Sequence, residues 1–297
     1  MGNVNLGTYA DFEKFVKDLR TTNDSLIKIR KESITKRINK DFRDLDSSTG
    51  WSRFVGSYGR GTATKGVSDI DVLIELPQKT YDRFNRYIGN KQSALLQEVK
   101  RSISTLYPTT KIGGDGQVVV VEFNDMLFEI LPAFRNIDNS FTYPDSNNGG
   151  RWKTCKPIHE INAINEQNKK YNKKIKHLVR MMKAWKETNN VPISGLLIET
   201  LAMNFMKNWE YNDKSFVYYD WMIRDFLYYL SEQDKEQSFW KAWGSGQYVW
   251  REGIFENKAR NAYEISVEAI RYSSSENLSL ERKKWRQIFG NCYRGLA

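Results

Sequence analysis

Apolar residues recur at helical spacing near the start of the chain. Phe12, Phe15, Val16 and Leu19 are followed by Leu26, Ile29 and Ile34, so residues 9 to about 42 read as one or two helices. The turn-rich stretch 44–50 (DLDSSTG) ends that unit. The period then changes. Phe54-Val55 leads into the loop GSYGRGTATKG, and SDIDVLIELP alternates as a strand up to Pro77. Residues 81–106 have helical spacing, while 118–123 and 126–131 read as two strands joined by the turn Asn124-Asp125. Beyond about residue 150 the strand signals stop: 161–187, 194–209, 218–233, 237–243 and 257–272 all favour helix. The run 147–150 (NNGG) is the boundary this pattern predicts. The expected architecture is α+β, with a mixed lobe and its N-terminal helices over residues 1–150, a helical lobe over 151–297, and a cleft between them.

With 297 residues, 40% hydrophobic and 13% aromatic, the chain has ample material for a core, which argues against a disordered protein. Cys155 and Cys292 stand far apart, form no CxxC pair, and read as two reduced thiols. The polar start MGNVNLGTYADFEKF carries no secretory leader signal. The best apolar run, 195–206, is interrupted by Glu199 and Asn204 and falls short of the roughly 20 residues a membrane span needs. A soluble, cytoplasmic protein is expected. A net charge of +10 directs attention to polyanionic ligands.

The densest chemistry lies between Gly56 and Asp71. Gly56 and Ser57 open a turn whose backbone N–H groups and hydroxyl suit phosphate. Asp69 and Asp71, two apart on a strand, project from one face and repel each other unless a cation sits with them. Mg2+ is the natural partner of a few carboxylates plus substrate phosphates. Paired ions about 3.5–4 Å apart stabilise both oxygens of an in-line displacement. Alone, such a pair is more often merely solvated; the preceding glycine-serine loop changes that weighing. A third carboxylate is expected on the neighbouring hairpin. Glu129 is preferred, flanked by Phe128 and Ile130 on the opposite, buried side; Glu122 and Asp125 are its rivals.

Between Gln167 and Lys186 stand eight Lys or Arg residues and no acid. Ile175, Leu178, Met182 and Trp185 form an apolar stripe; Lys176, Arg180 and Lys183 form a basic one. Lysine there suits triphosphate, although most charged stripes are solvated faces. Ser194 reads as the N-cap of the next helix, where its hydroxyl could equally serve phosphate. The aromatics between residues 209 and 250 read mainly as core, with base stacking as the alternative.

The segments GSYGRGTATKGVSDIDVLIELP and FEILPAF, then LVRMMKAWK, ISGLLIETL, ARNAYEISVEA and KKWRQIFG, resemble in that order the bacterial second-messenger oligonucleotide or dinucleotide synthetases. These are the CD-NTases, similar to cyclic GMP–AMP synthase and the oligoadenylate synthetases. The resemblance implies a polymerase-β-like nucleotidyltransferase core with a helical C-terminal lobe. It implies donor triphosphate held by Gly56 and Ser57, two Mg2+ (with Mn2+ as a substitute) on Asp69, Asp71 and Glu129, and phosphate gripped by Lys183 and Ser194. Many relatives carry Asp where this chain has Glu129, and no counterpart of the animal synthase's zinc insertion is present. The implied activity joins nucleoside triphosphates into a cyclic di- or trinucleotide that triggers an antiphage effector (CBASS), with an RNA or protein activator as an open option. A linear nucleotide-adding enzyme acting on RNA or protein, and a non-catalytic nucleic-acid sensor, are the rival expectations.

Overall fold

The structure, a computed structural model, describes residues 6–66, 69–214 and 218–295. Val67 and Ser68, at the end of the glycine-rich loop, lie outside the described residues, as do the first five residues of the polar start. The chain divides into two compact units.

One unit comprises Thr21–Gly61 and Gly66–Ile161. Its elements are α2 (Asp24–Arg43), β1 (Ser52–Phe54), a one-turn helix α3 (Gly56–Gly59), β2 (Asp69–Glu75), α4 (Gln78–Asn85), α5 (Lys91–Leu106), β3 (Lys111–Asp115), β4 (Val118–Glu122), β5 (Leu127–Arg135), β6 (Phe141–Asp145) and β7 (Arg151–Cys155). Five strands run in the order β1-β2-β5-β4-β3, and β6 and β7 extend the sheet from the far end of β5. The β2–β5 pairing is parallel; the others are antiparallel. Strand alternation sorts the side chains. Ile70, Val72, Ile74, Val119, Val121, Phe128 and Ile130 are fully buried in one cluster with Ile34 and Ile38 of α2 and Leu95, Val99 and Ile103 of α5. The opposite face therefore takes Asp69, Asp71 and Glu129.

The other unit comprises Met1–Arg20, Thr62–Lys65 and Asn162–Ala297. It holds α1 (Leu6–Asp18), α7 (Lys174–Asn189), α8 (Gly195–Asn208), α9 (Tyr219–Ser231), the ribbon β8 (Phe239–Lys241) and β9 (Tyr248–Trp250), α10 (Glu256–Ser274) and α11 (Leu278–Phe289), while α6 (Pro157–Lys170) straddles the division. Its core joins Phe12, Phe15 and Val16 of α1, and Leu19 just beyond it, to Trp185, Trp285, Phe289 and Tyr293. The Phe12 ring lies edge-on to Trp285 at 5.1 Å and to Tyr293 at 5.3 Å. The apolar stripe that marked α1 in the sequence thus packs among the C-terminal helices, away from the residue-150 division expected from pattern.

Several elements differ from the pattern-based expectation. The helix over 81–106 is two, separated by a turn in which Gly89 has φ +85° and Asn90 caps α5 by accepting from the Ser93 N–H at 2.9 Å. The helix over 161–187 is likewise broken, because Asn172 and Lys173 adopt left-handed conformations (φ 51° and 64°). The run 147–150 is a hairpin connection between β6 and β7, so strands continue past residue 150. Residues 237–243 supply β8 rather than a helix; it pairs β9, burying Trp240 and Val249 and exposing Phe239, Tyr248 and Trp250. Of the described aromatics of the 209–250 segment, Trp209, Tyr219, Phe226 and Trp240 are buried in the core, and Tyr211, Tyr218, Trp221, Tyr229 and Trp243 pack against it while partly exposed.

Candidate active site

Parallel pairing sets Asp71 opposite Glu129 and Asp69 opposite Leu127, so the three carboxylates share one face across two neighbouring strands. The rivals for the third position are engaged elsewhere. Glu122 is in an ion pair with Lys111 (2.7 Å), its neighbour across β3–β4, and Asp125 is in one with Arg30 (2.7 Å). Glu129 is half-buried, and its carboxyl is pushed above the ordinary range first by burial, then by the negative charges of Asp71, Asp69 and Asp115. Asp115, at the end of β3, escaped the sequence reading because Gly113 and Gly114 hide that strand's alternation. Among the described residues no three His, Cys, Asp or Glu side chains are already drawn together as a metal cage. The donor set is nevertheless all oxygen and all anionic, and its members repel one another. That chemistry fits a hard divalent cation.

The glycine-serine turn is tied directly to this face. The Val55 N–H donates to the Asp71 carbonyl (2.9 Å), continuing the β1–β2 ladder to the start of α3. Gly56 follows at φ +55°, and a Cβ built on it would lie 1.7 Å from Asp71 Oδ2. Only glycine permits both the left-handed backbone and this approach. Gly56 is thus held against Asp71. Two further contacts fix the turn: Tyr58 Oη donates to Asp24 (2.9 Å), and Arg60 pairs with the buried Glu160 (3.2 Å).

In the helical unit, Lys183 and Ser194 are brought together. Ser194 Oγ caps α8 by accepting from the Leu197 N–H (3.1 Å). A Cβ on the next residue, Gly195, would meet the Lys183 Cε at 3.2 Å and Nζ at 3.5 Å, so the ammonium lies at the first turn of α8. Lys183 Nζ also donates to the carbonyl of Thr62 (3.2 Å) and pairs with the buried Glu199 (3.3 Å). Glu199 in turn accepts from Thr62 Oγ1 (2.6 Å), and Arg180 Nε donates to the Ala63 carbonyl (3.1 Å). Thr62 and Glu199 were not singled out in the sequence. Glu199 registered only as a flaw in an apolar run, yet it supplies the countercharge that holds Lys183.

Residues 7–168 match the family model described as the Second Messenger Oligonucleotide or Dinucleotide Synthetase domain. The chain belongs to this synthetase family. It is therefore an enzyme of the nucleotidyltransferase class, within the cyclic nucleotide synthases known as CD-NTases. A probable cyclic nucleotide synthase of Bacillus cereus strain VD146 is 23% identical, with 80% of each chain covered. Among solved structures, E. coli MS115-1 CdnC with ATP has a TM-score of 0.69 at 16% identity, covering 96% of this chain and 98% of that one. Bradyrhizobium diazoefficiens CD-NTase CdnG in complex with GTP reaches 0.68 at 11% identity, covering 98% and 97%. Vibrio cholerae DncV cyclic AMP–GMP synthase with a linear intermediate reaches 0.65 at 16% identity, covering 98% and 88%. These likenesses establish the synthetase family's α+β, polymerase-β-like fold for the chain.

Proposed function

We propose that this synthetase condenses nucleoside triphosphates into a cyclic di- or trinucleotide, releasing pyrophosphate at each joining step. The observation that carries the reading is the pairing of Asp71 with Glu129 on one face of β2–β5, with Gly56 closed onto the Asp71 carboxylate. Asp69, Asp71 and Glu129 would hold Mg2+, with Mn2+ as a substitute. Bound there, two such ions would supply charge neutralisation at the attacking and leaving oxygens of a displacement at the α-phosphorus.

The chain's own groups do the rest. Gly56 and Ser57 present backbone N–H groups and a hydroxyl to the donor triphosphate. Lys183 and Ser194, beside the positive end of α8, take phosphate oxygens. Positioning of the acceptor ribose hydroxyl for in-line attack supplies much of the remaining acceleration. The triphosphates named for CdnC and CdnG support nucleotide substrates here. CdnC is also known in complex with HORMA-deltaN, which favours a protein activator over RNA. We place the enzyme in the cytoplasm, in antiphage (CBASS) signalling, with its product read by a separate effector. Among the described residues no helix is long and apolar enough to cross a membrane.

The test is incubation of purified protein with labelled triphosphates and Mg2+, with products resolved by chromatography and mass. Small cyclic products are expected, and none from the Asp69→Asn, Asp71→Asn double variant, which retains the wild-type unfolding transition. Turnover surviving in that variant overturns the site. A strict requirement for a macromolecular acceptor overturns the cyclic product in favour of a linear transferase.

A further inference from the structure

The helical unit contains a cavity of about 690 Å3, within the range of ligand pockets. Its walls are Arg20, Lys169, Lys173 and Lys214, three asparagines and His177, with no carboxylate among them. Four separate segments supply these groups: the stretch just after α1, the last turns of α6, the break before α7 with its first turn, and the loop after α8. Among the described residues none of Arg20, Lys169 and Lys173 forms an ion pair; Lys214 shares its charge with the exposed Asp213 (3.4 Å).

Two of the asparagines, Asn165 and Asn168, have their amide oxygens engaged by Lys176 and add donors to the wall. Asn165 Oδ1 accepts from Lys176 Nζ (2.6 Å), and Asn168 Oδ1 accepts from the Lys176 backbone N–H (3.0 Å). With both oxygens committed to Lys176, the amide N–H groups are what these side chains have left to offer. The concave wall therefore combines cations with hydrogen-bond donors.

The wall is held in place at a conformational cost. Asn172 and Lys173 are consecutive non-glycine residues with positive φ, each disfavoured in that region. The break they make between α6 and α7 sets both at the cavity. The side chain of Lys174 is buried and donates to the Asn212 carbonyl (2.7 Å), which fixes the loop that carries Lys214. Burial first, and then neighbouring cations (Arg20 beside Arg180; Arg180, Arg20 and Lys173 beside His177), lowers the protonation of both Arg180 and His177. Like charges gathered this closely are costly until an anion joins them.

We infer that this cavity binds a small polyphosphate anion, one with two or more linked phosphates, in a site built within the helical unit alone. Point charges from separate segments suit several phosphates at once, and the asparagine donors suit their non-bridging oxygens. The inference does not depend on the carboxylate site.

Inorganic tripolyphosphate is the probe. It is titrated calorimetrically, in chelator at fixed ionic strength, into the full chain and into two variants: Lys169→Gln with Lys173→Gln, and Arg20→Gln. One-to-one binding is expected to weaken at least tenfold in each, with sulfate at equal ionic strength failing to compete and the unfolding midpoint unchanged. An event that survives the substitutions belongs elsewhere in the chain; the inference stands on the one that is lost. Unaltered tripolyphosphate binding in both variants overturns it. So does loss of affinity for a short nucleic-acid duplex without any change for tripolyphosphate, which would assign this surface to a nucleic-acid backbone instead.

Discussion

At Gly56 two independent constraints meet, a φ of +55° and a neighbouring carboxylate oxygen that leaves no room for a Cβ. Gly56→Ala is expected to displace Asp71 and to lower product formation at least 100-fold. The left-handed backbone should cost about 1–2 kcal/mol of stability besides. Turnover measured beside urea unfolding checks both effects, and near-normal turnover in a merely destabilised protein would separate Gly56 from the chemistry. Asp220 offers a different test. Burial raises its carboxyl to about 7, with Glu281 adding to the shift and the Trp221 N–H (2.9 Å) opposing it. The fold thus holds a proton there that the unfolded chain releases near its ordinary value of 3.8. Between those values the native state binds more protons, so this residue makes stability fall as pH rises toward 7. Asp220→Asn should remove that slope and raise the urea midpoint at pH 8 more than at pH 5. Equal midpoint changes at both pH values would show that the carboxyl titrates normally.

Among the elements, α2 illustrates how a helix can set the start of a sheet. Asn39, buried on its inner side, donates to the carbonyls of Ser47 (2.8 Å) and Gly50 (3.1 Å), and Thr35 Oγ1 donates to Ser52 Oγ (2.8 Å). These bonds shape the turn that delivers β1, whose ladder ends at Gly56. Asn39→Leu keeps the volume but strands two carbonyls. A loss of about 2 kcal/mol is expected from urea unfolding; an unchanged midpoint would mean that the turn holds itself. The turn 44–50 was legible in sequence, as were β2, β4, β5 and most helices, because their apolar residues keep strict periods. What escaped has physical reasons. β3 (KIGGD) lacks side chains at two of its five positions, and β6 carries Pro144 beyond the point where β5 pairs with it. In β8 and β9 three aromatics face outward, so alternation does not separate inside from outside. The breaks at 86–90 and at Asn172-Lys173 interrupt runs whose periodicity continues on either side. Of the candidate site, the carboxylates and the glycine were readable because strand spacing and φ sign are local. Glu199 was not, because its partners Thr62 and Lys183 come from distant segments.

Across the whole molecule, the helical unit is assembled from three separate stretches of chain. Residues 151–297 alone would lack Phe12, Phe15, Val16 and Leu19, which line the core around Trp285 and Phe289. That fragment is expected to unfold without a cooperative transition, and adding a peptide of residues 1–20 should restore one in circular dichroism melts. A fragment that melts cooperatively by itself would mean that α1 is dispensable to the core. The same arrangement bears on how the protein is made. A ribosome releases Phe12 long before Trp285, Phe289 and Tyr293 exist, so α1 waits with its aromatic face unburied until α11 has been made. Binding by a chaperone, or a slow closing step, should therefore fall between the emergence of α1 and that of α11, and the docking of α1 becomes the event that completes the helical unit.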